Sequence, residues 1–149
     1  MIEAYADGGV SAKNQIGGWG VVLLLPDGER LGLKGFERGA HVTNNTMELT
    51  SAIEALKYCS HHHPGVSVTI VSDSEYVVKG ASEWSRRWRM CNWKGVNGQV
   101  KNRPLWELLL SYTDRMKPAF RWVRGHDGQE NNEIADRLAV SAYREQLTD

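Results

Sequence analysis

The chain has 149 residues and a formal charge of zero, 18 Lys and Arg against 18 Asp and Glu, with 41% hydrophobic and 24% charged residues. These are values of a foldable globular chain, and they exclude a disordered, collagen-like or coiled-coil protein and leave no room for a second full domain. The longest unbroken apolar run, Val21 to Leu25, is far shorter than the roughly 20 residues of a membrane span, and the N-terminus lacks the basic flank and apolar stretch of an export signal.

Taken in chain order, Ile2 to Ala6 reads as a short strand ending at Asp7-Gly8-Gly9. Trp19 to Leu25 reads as a second strand, Pro26-Asp27-Gly28 as a hairpin turn, and Arg30 to Phe36 as a third strand, giving an antiparallel meander. At Thr43 the period changes. Thr43 or Asn44 can cap a helix whose core stripe is Leu49, Ala52, Ile53 and Leu56, and which ends near Cys59. The β-branched run Val66 to Val71, ending at Ser72-Asp73, predicts a buried strand, paired in parallel because a helix precedes and follows it. Two short helices are expected at Ser74 to Gly80 and Ser82 to Met90, then a Gly/Asn-rich loop to Lys101. A helix at Pro104 to Met116, a strand at Ala119 to Arg124 and a helix at Asn131 to Glu145 complete the chain. The expected fold class is α/β, a mixed five-stranded sheet flanked by helices, forming one domain over residues 1–149.

Two cysteines, Cys59 and Cys91, show no Cys-x-x-Cys spacing, so neither a zinc ribbon nor a disulfide framework is indicated and a reducing, cytoplasmic setting is expected. The zero net charge conceals a segregation. Residues 79–103 carry seven basic side chains against the single acid Glu83, a net of +6 that leaves −6 on the remainder. Such a basic segment is the footprint of a phosphate-rich partner.

Four acids stand where a purely structural role explains them poorly. Asp7 and Asp73 each end a predicted strand, and the carboxyl ends of strands are where α/β sheets bind ligands, although Asp there also serves as a turn former or helix cap. Glu48 flanks the stripe Ala52, Leu56, Cys59, and Asp136 flanks that of the last helix, so both face partly inward, although an acid at such a boundary also serves in a salt bridge. Carboxylates crowded together stay ionised only beside a cation, and an all-oxygen set selects Mg²⁺ or Mn²⁺ over Zn²⁺. Two such ions suit in-line phosphodiester displacement. His126, in the loop Gly125-His126-Asp127-Gly128, suits proton transfer or product release near neutral pH, although a histidine in such a loop also serves as an ordinary surface residue. The tract His61 to His63 has no carboxylate nearby in sequence and reads as an exposed loop.

The segments Ala6-Asp7-Gly8, Thr43-Asn44-Asn45-Thr46-Met47-Glu48-Leu49, Ser72-Asp73-Ser74-Glu75-Tyr76-Val77, Trp122-Val123-Arg124-Gly125-His126 and Asn132-Glu133-x-x-Asp136-x-Leu138-Ala139 occur in an order and spacing that resembles type 1 ribonuclease H from about Ile2 to Ala142. The resemblance implies the ribonuclease H-like fold and an endonuclease that cuts the RNA strand of RNA/DNA hybrids with two Mg²⁺ ions, Mn²⁺ as substitute, leaving 5′-phosphate and 3′-hydroxyl ends. It implies Asp7, Glu48, Asp73 and Asp136 as metal-binding carboxylates and His126 as a mobile catalytic histidine. It also implies substrate contacts from Gly8, Lys13, Asn14, Thr43, Asn44, Asn45, Ser74 and Glu75. The basic segment at 79–103 is similar to the family's substrate-binding handle, which implicates Trp84, Arg86, Arg87, Trp88 and Lys101; Trp84 and Trp88, four apart, read first as a packing pair. The partner is a hybrid and no membrane, and a monomer is expected.

The sequence departs from the bacterial pattern at Gly9, at Thr46 where Arg is frequent, at Glu75 where Gln is usual, and in the loop Val10 to Ile16. Two other readings compete: a hybrid-binding module without turnover, which predicts a broken carboxylate set, and a related nuclease or transposase domain, which predicts no Trp/Arg segment. The Met start and the complete elements at both ends favour a free-standing protein over a piece of a reverse transcriptase.

Overall fold

The computed structural model describes residues 1–125 and 128–147. Five strands form a mixed sheet: β1 (Ile2–Ser11), β2 (Ile16–Leu24), β3 (Arg30–Arg38), β4 (Val68–Ser72) and β7 (Ala119–Trp122), in the order β3-β2-β1-β4-β7. The meander β1-β2-β3 is antiparallel and β4 and β7 add in parallel, as expected for strands joined through helices. The helices are α1 (Asn44–His62), α2 (Glu75–Lys79), α3 (Ser85–Met90), α4 (Arg103–Met116) and α5 (Glu130–Arg144), and a two-rung hairpin, β5 (Lys94–Gly95) and β6 (Gly98–Gln99), follows α3. Among the described residues, no helix is long and apolar enough to cross a membrane.

Alternation along the strands divides the core. Ile2, Ala4, Ala6, Val21, Leu23 and Ile70 join Leu49, Ile53 and Leu56 of α1 and Trp106 and Leu109 of α4 in one cluster. On the opposite face Tyr5, Val22 and Val71 pack against Ala135 of α5. Helix α5 lies unusually close to the sheet, because a Cβ on Gly18 or Gly20 would run into the main-chain carbonyls of Ala139 or Ala135. Glycine is required there by the approach of one backbone to another.

Several expected boundaries move, each for a physical reason. Strand β1 continues five residues past Ala6, since Asp7 to Ser11 keep their pairing with Gly20 to Ile16 of β2; Asp7 is therefore within a strand rather than at its end. Helix α1 runs to His62 instead of Cys59, placing His61 and His62 on its last turn, with the His62 ring stacked on Tyr58 at 4.2 Å between centroids. It stops only at His63, whose conformation the following Pro64 restricts. The two short helices expected between 74 and 90 form one continuous helical run with a wide π turn at Gly80–Trp84. Gly80 does not break the helix: it is buried where any Cβ would enter the Trp106 ring. The loop after Met90 contains the β5–β6 hairpin, and β7 ends at Trp122 because its partner β4 ends at Ser72.

Candidate active site

The parallel register fixes the first two carboxylates. Tyr5 lies opposite Val71, the last parallel pair between β1 and β4. Two residues further along each chain stand Asp7 and Asp73, and a step of two keeps a side chain on the same face. Main-chain contact brings in the third. A Cβ on Gly8 would lie 2.5 Å from the Met47 carbonyl carbon and 2.6 Å from the Glu48 nitrogen, so the first turn of α1 rests directly on β1. As a result, carboxylate oxygens of Asp7, Glu48 and Asp73 all lie within 4.8 Å of one another. Asp136 is not within that range of all three. It comes from α5 over the same face and meets Asp7 through charge and a side-chain hydrogen bond.

The electrostatics of this group are adverse without a cation. Asp7 is 4% exposed, and burial, with the negative charges of Asp73 and Asp136, pushes its carboxyl up to about 8. Burial, then Asp7 and Asp73, raise the Glu48 carboxyl well above its ordinary range. The Gly8 N–H donates to Asp7 Oδ1 at 2.9 Å and also favours the ionised form of Glu48. Buried Glu48 Oε1 has no hydrogen-bond partner among the described residues. An orphaned buried carboxylate oxygen, in a set of hard oxygen donors where burial and then neighbouring negative charge raise Asp7 and Glu48, fits a divalent cation. The three acids could hold a metal ion.

Around this cluster the remaining expected residues sort into distinct places. Thr43 caps α1 reciprocally with Thr46: the Thr46 N–H donates to the Thr43 hydroxyl at 3.1 Å and the Thr43 N–H to the Thr46 hydroxyl at 2.8 Å. Threonine at 46 thus has a structural task of its own. Asn44 and Asn45 are exposed on the turn that follows. Lys13 and Asn14 lie exposed on a 3₁₀ turn between β1 and β2, where Asn14 donates to the Ser11 hydroxyl. Ser74 caps α2, accepting from the Val77 N–H. Glu75 is paired with Lys79 at 3.8 Å, which offsets the extra negative charge.

The basic segment forms an arm made of α3 and the β5–β6 hairpin. Trp88 packs on Trp84, Trp93 and Trp106 at centroid distances of 6.2, 6.0 and 5.0 Å, so the tryptophans hold the arm to the body, while Trp84 stays partly exposed. Arg87 and Lys94 line the groove between α3 and the hairpin with Trp84 and Trp88. Arg86 instead lines a separate groove between α3 and α4, beside Arg89, which is tied to Asp114. Lys101 is exposed. His126 lies outside the described residues.

Two features of the site carry no motif. Local sequence shows neither what the glycines under α1 and α5 pack against nor the hydrogen bond from the Trp122 indole to the Asp73 carbonyl, 3.0 Å. The run Gly17-Gly18-Trp19-Gly20 inside a strand was the available signal for close helix packing.

A family model for RNase H matches residues 1–144. Ribonuclease H of Orientia tsutsugamushi is 38% identical over 147 residues, covering 98% of this chain and 84% of that one. LC9-RNase H1, a type 1 RNase H with the type 2 active-site motif, superposes with a TM-score of 0.83 at 33% identity, over 97% of this chain and 72% of that one. LC11-RNase H1, solved in complex with an RNA/DNA hybrid, shares the fold with a TM-score of 0.73 at 22% identity, over 99% of this chain and all of that one. The matched length, the sheet order and the relatives agree: the chain belongs to the ribonuclease H family, type 1.

Proposed function

We propose that this protein hydrolyses the RNA strand of RNA/DNA hybrids endonucleolytically, using two divalent ions and leaving 5′-phosphate and 3′-hydroxyl ends. The observation that carries this reading is the meeting of Asp7, Glu48 and Asp73 within 4.8 Å, with Asp136 against Asp7. Mg²⁺, or Mn²⁺ in its place, would be held by these four carboxylates and, when bound, supplies Lewis acidity at the attacking and departing oxygens of the phosphodiester.

The chain's own groups provide the rest. Asp7, buried between the other acids, ionises when a cation offsets its neighbours, and fixes the centre of the site. Asn44 and Asn45 offer amide donors and acceptors for a minor groove that presents 2′-hydroxyls on one strand and none on the other. Thr43, at the N-terminus of α1, offers a hydroxyl and the helix dipole to a phosphate of the DNA strand. Gly8, Lys13, Asn14, Ser74 and Glu75 are further substrate contacts in this reading, and the arm with Trp84, Arg87, Trp88 and Lys101 holds backbone phosphates with little dependence on sequence. His126 moves a proton or assists product release. A monomer acting in the cytoplasm is part of the same reading.

The test is a metal-dependence assay on three substrates of one sequence: RNA/DNA hybrid, double-stranded RNA and single-stranded RNA, with end-group analysis of the products. Cleavage of the hybrid alone, abolished by chelator and restored by Mg²⁺, is expected. Equal cleavage of double-stranded RNA, or activity in chelator, would refute the proposal.

A further inference from the structure

We propose that the end of β7 is a clamp on Asp73, and that Trp122 is a positioning residue acting through that acid. This rests on the reading of Asp73 as a metal-binding carboxylate.

Two hydrogen bonds and one close approach converge on one short segment. The Trp122 indole N–H donates to the main-chain carbonyl of Asp73 at 3.0 Å. The Val123 N–H donates to the Ser72 carbonyl at 3.0 Å, extending the β4–β7 pairing one bond beyond its last rung. Gly125 leaves space for the carboxylate itself, since a Cβ there would stand 2.8 Å from Asp73 Oδ2. Asp73 needs such support because β4 ends at Ser72 and α2 begins only at Glu75. The acid therefore sits in a two-residue connection, where the chain itself provides no ladder hydrogen bond.

The exposure of Trp122 argues in the same direction. It is 43% exposed, so burial does not account for a tryptophan here. Its indole N–H is the part committed to a specific partner. Holding the Asp73 carbonyl fixes the rotation of that residue's backbone and hence the direction in which its carboxylate leaves the sheet. A group that orients a metal-binding side chain alters affinity for the ion even though it never touches the ion.

The experiment compares Trp122→Phe, which keeps a ring and removes the donor, with the wild-type protein. Mn²⁺ affinity is measured by titration calorimetry in the absence of substrate, and KM and kcat for a hybrid at saturating Mg²⁺. The loss of one hydrogen bond predicts a Mn²⁺ dissociation constant raised about threefold to tenfold, a lowered kcat and an unchanged KM for hybrid. Unchanged Mn²⁺ affinity overturns the proposal. So does a raised KM with unchanged ion binding, which would mean that the ring touches substrate instead. Gly125→Ala, which presses on the carboxylate without altering Trp122, should also lower Mn²⁺ affinity, and an unchanged affinity in that variant overturns the clamp even if Trp122→Phe does not fold. A wild-type protein that binds Mn²⁺ with these dependences and fails to cleave hybrid would refute the proposed function and leave the clamp standing.

Discussion

Gly8 and Glu48 touch main chain to main chain, with only 2.6 Å between the site of a Cβ on Gly8 and the Glu48 nitrogen. That contact delivers a helical carboxylate to a strand carboxylate. Gly8→Ala is expected to force α1 away from β1, lowering stability by about 1–3 kcal/mol and hybrid cleavage by at least tenfold. Thermal unfolding and a metal-dependent cleavage assay measure the two effects.

Asp7→Asn should abolish cleavage, by about a hundredfold or more, and leave hybrid binding measurable by fluorescence anisotropy. The same variant has a pH signature without metal. The Asp7 carboxyl is raised from 3.8 to about 8 in the folded protein, so folding favours its protonated form. Its contribution is fully present below about pH 4 and is lost as pH rises through about 8. Asparagine removes that loss. The melting temperature of Asp7→Asn should match wild type near pH 4 and exceed it increasingly toward pH 8, by the equivalent of a few kcal/mol. Added Mg²⁺ should narrow the gap by stabilising the wild type.

Thr43 and Thr46 cap α1 as a pair, so alanine at either position should cost about 1 kcal/mol of stability. Only Thr43→Ala should also raise KM for hybrid, because only Thr43 is assigned a phosphate. Equal KM values in the two variants would reduce Thr43 to a cap.

The adjacent arginines of the arm point into different grooves. Arg87→Glu should raise KM about tenfold and reduce the salt dependence of hybrid binding by about one phosphate contact. Arg86→Glu should change KM less than threefold. Binding isotherms at several salt concentrations separate the two cases.

The sheet was readable where its strands are rich in β-branched and apolar residues, as in Val68 to Val71 of the expected Val66 to Val71, and the helices because Leu49 to Leu56 and Ile134 to Ala142 recur at helical spacing. The glycine-rich stretches were misleading. Gly8-Gly9 looks like the end of a strand by propensity, yet β1 continues through it, and Gly80 looks like a helix stop, yet the helix passes over it. In both places glycine is demanded by a neighbour, Met47 and Glu48 in one case and Trp106 in the other, which no local pattern encodes. The acids were picked out by their positions at strand ends and stripe edges. Their common meeting point depended on the β1–β4 register, and the anchoring of Asp73 by Trp122 on a side-chain contact across 49 residues of chain.

The bare positions 18 and 20 beneath α5 have an outcome beyond packing. With no intervening side chain, the seat of the last helix is set by hard contact between two backbones, and Asp136 takes its height above β1 from that seat. A single methyl group at either spot would act as a shim, tilting the helix and lifting its acid off the others, so a change at a position that carries no functional group would disarm the enzyme while leaving every acidic group in the polypeptide.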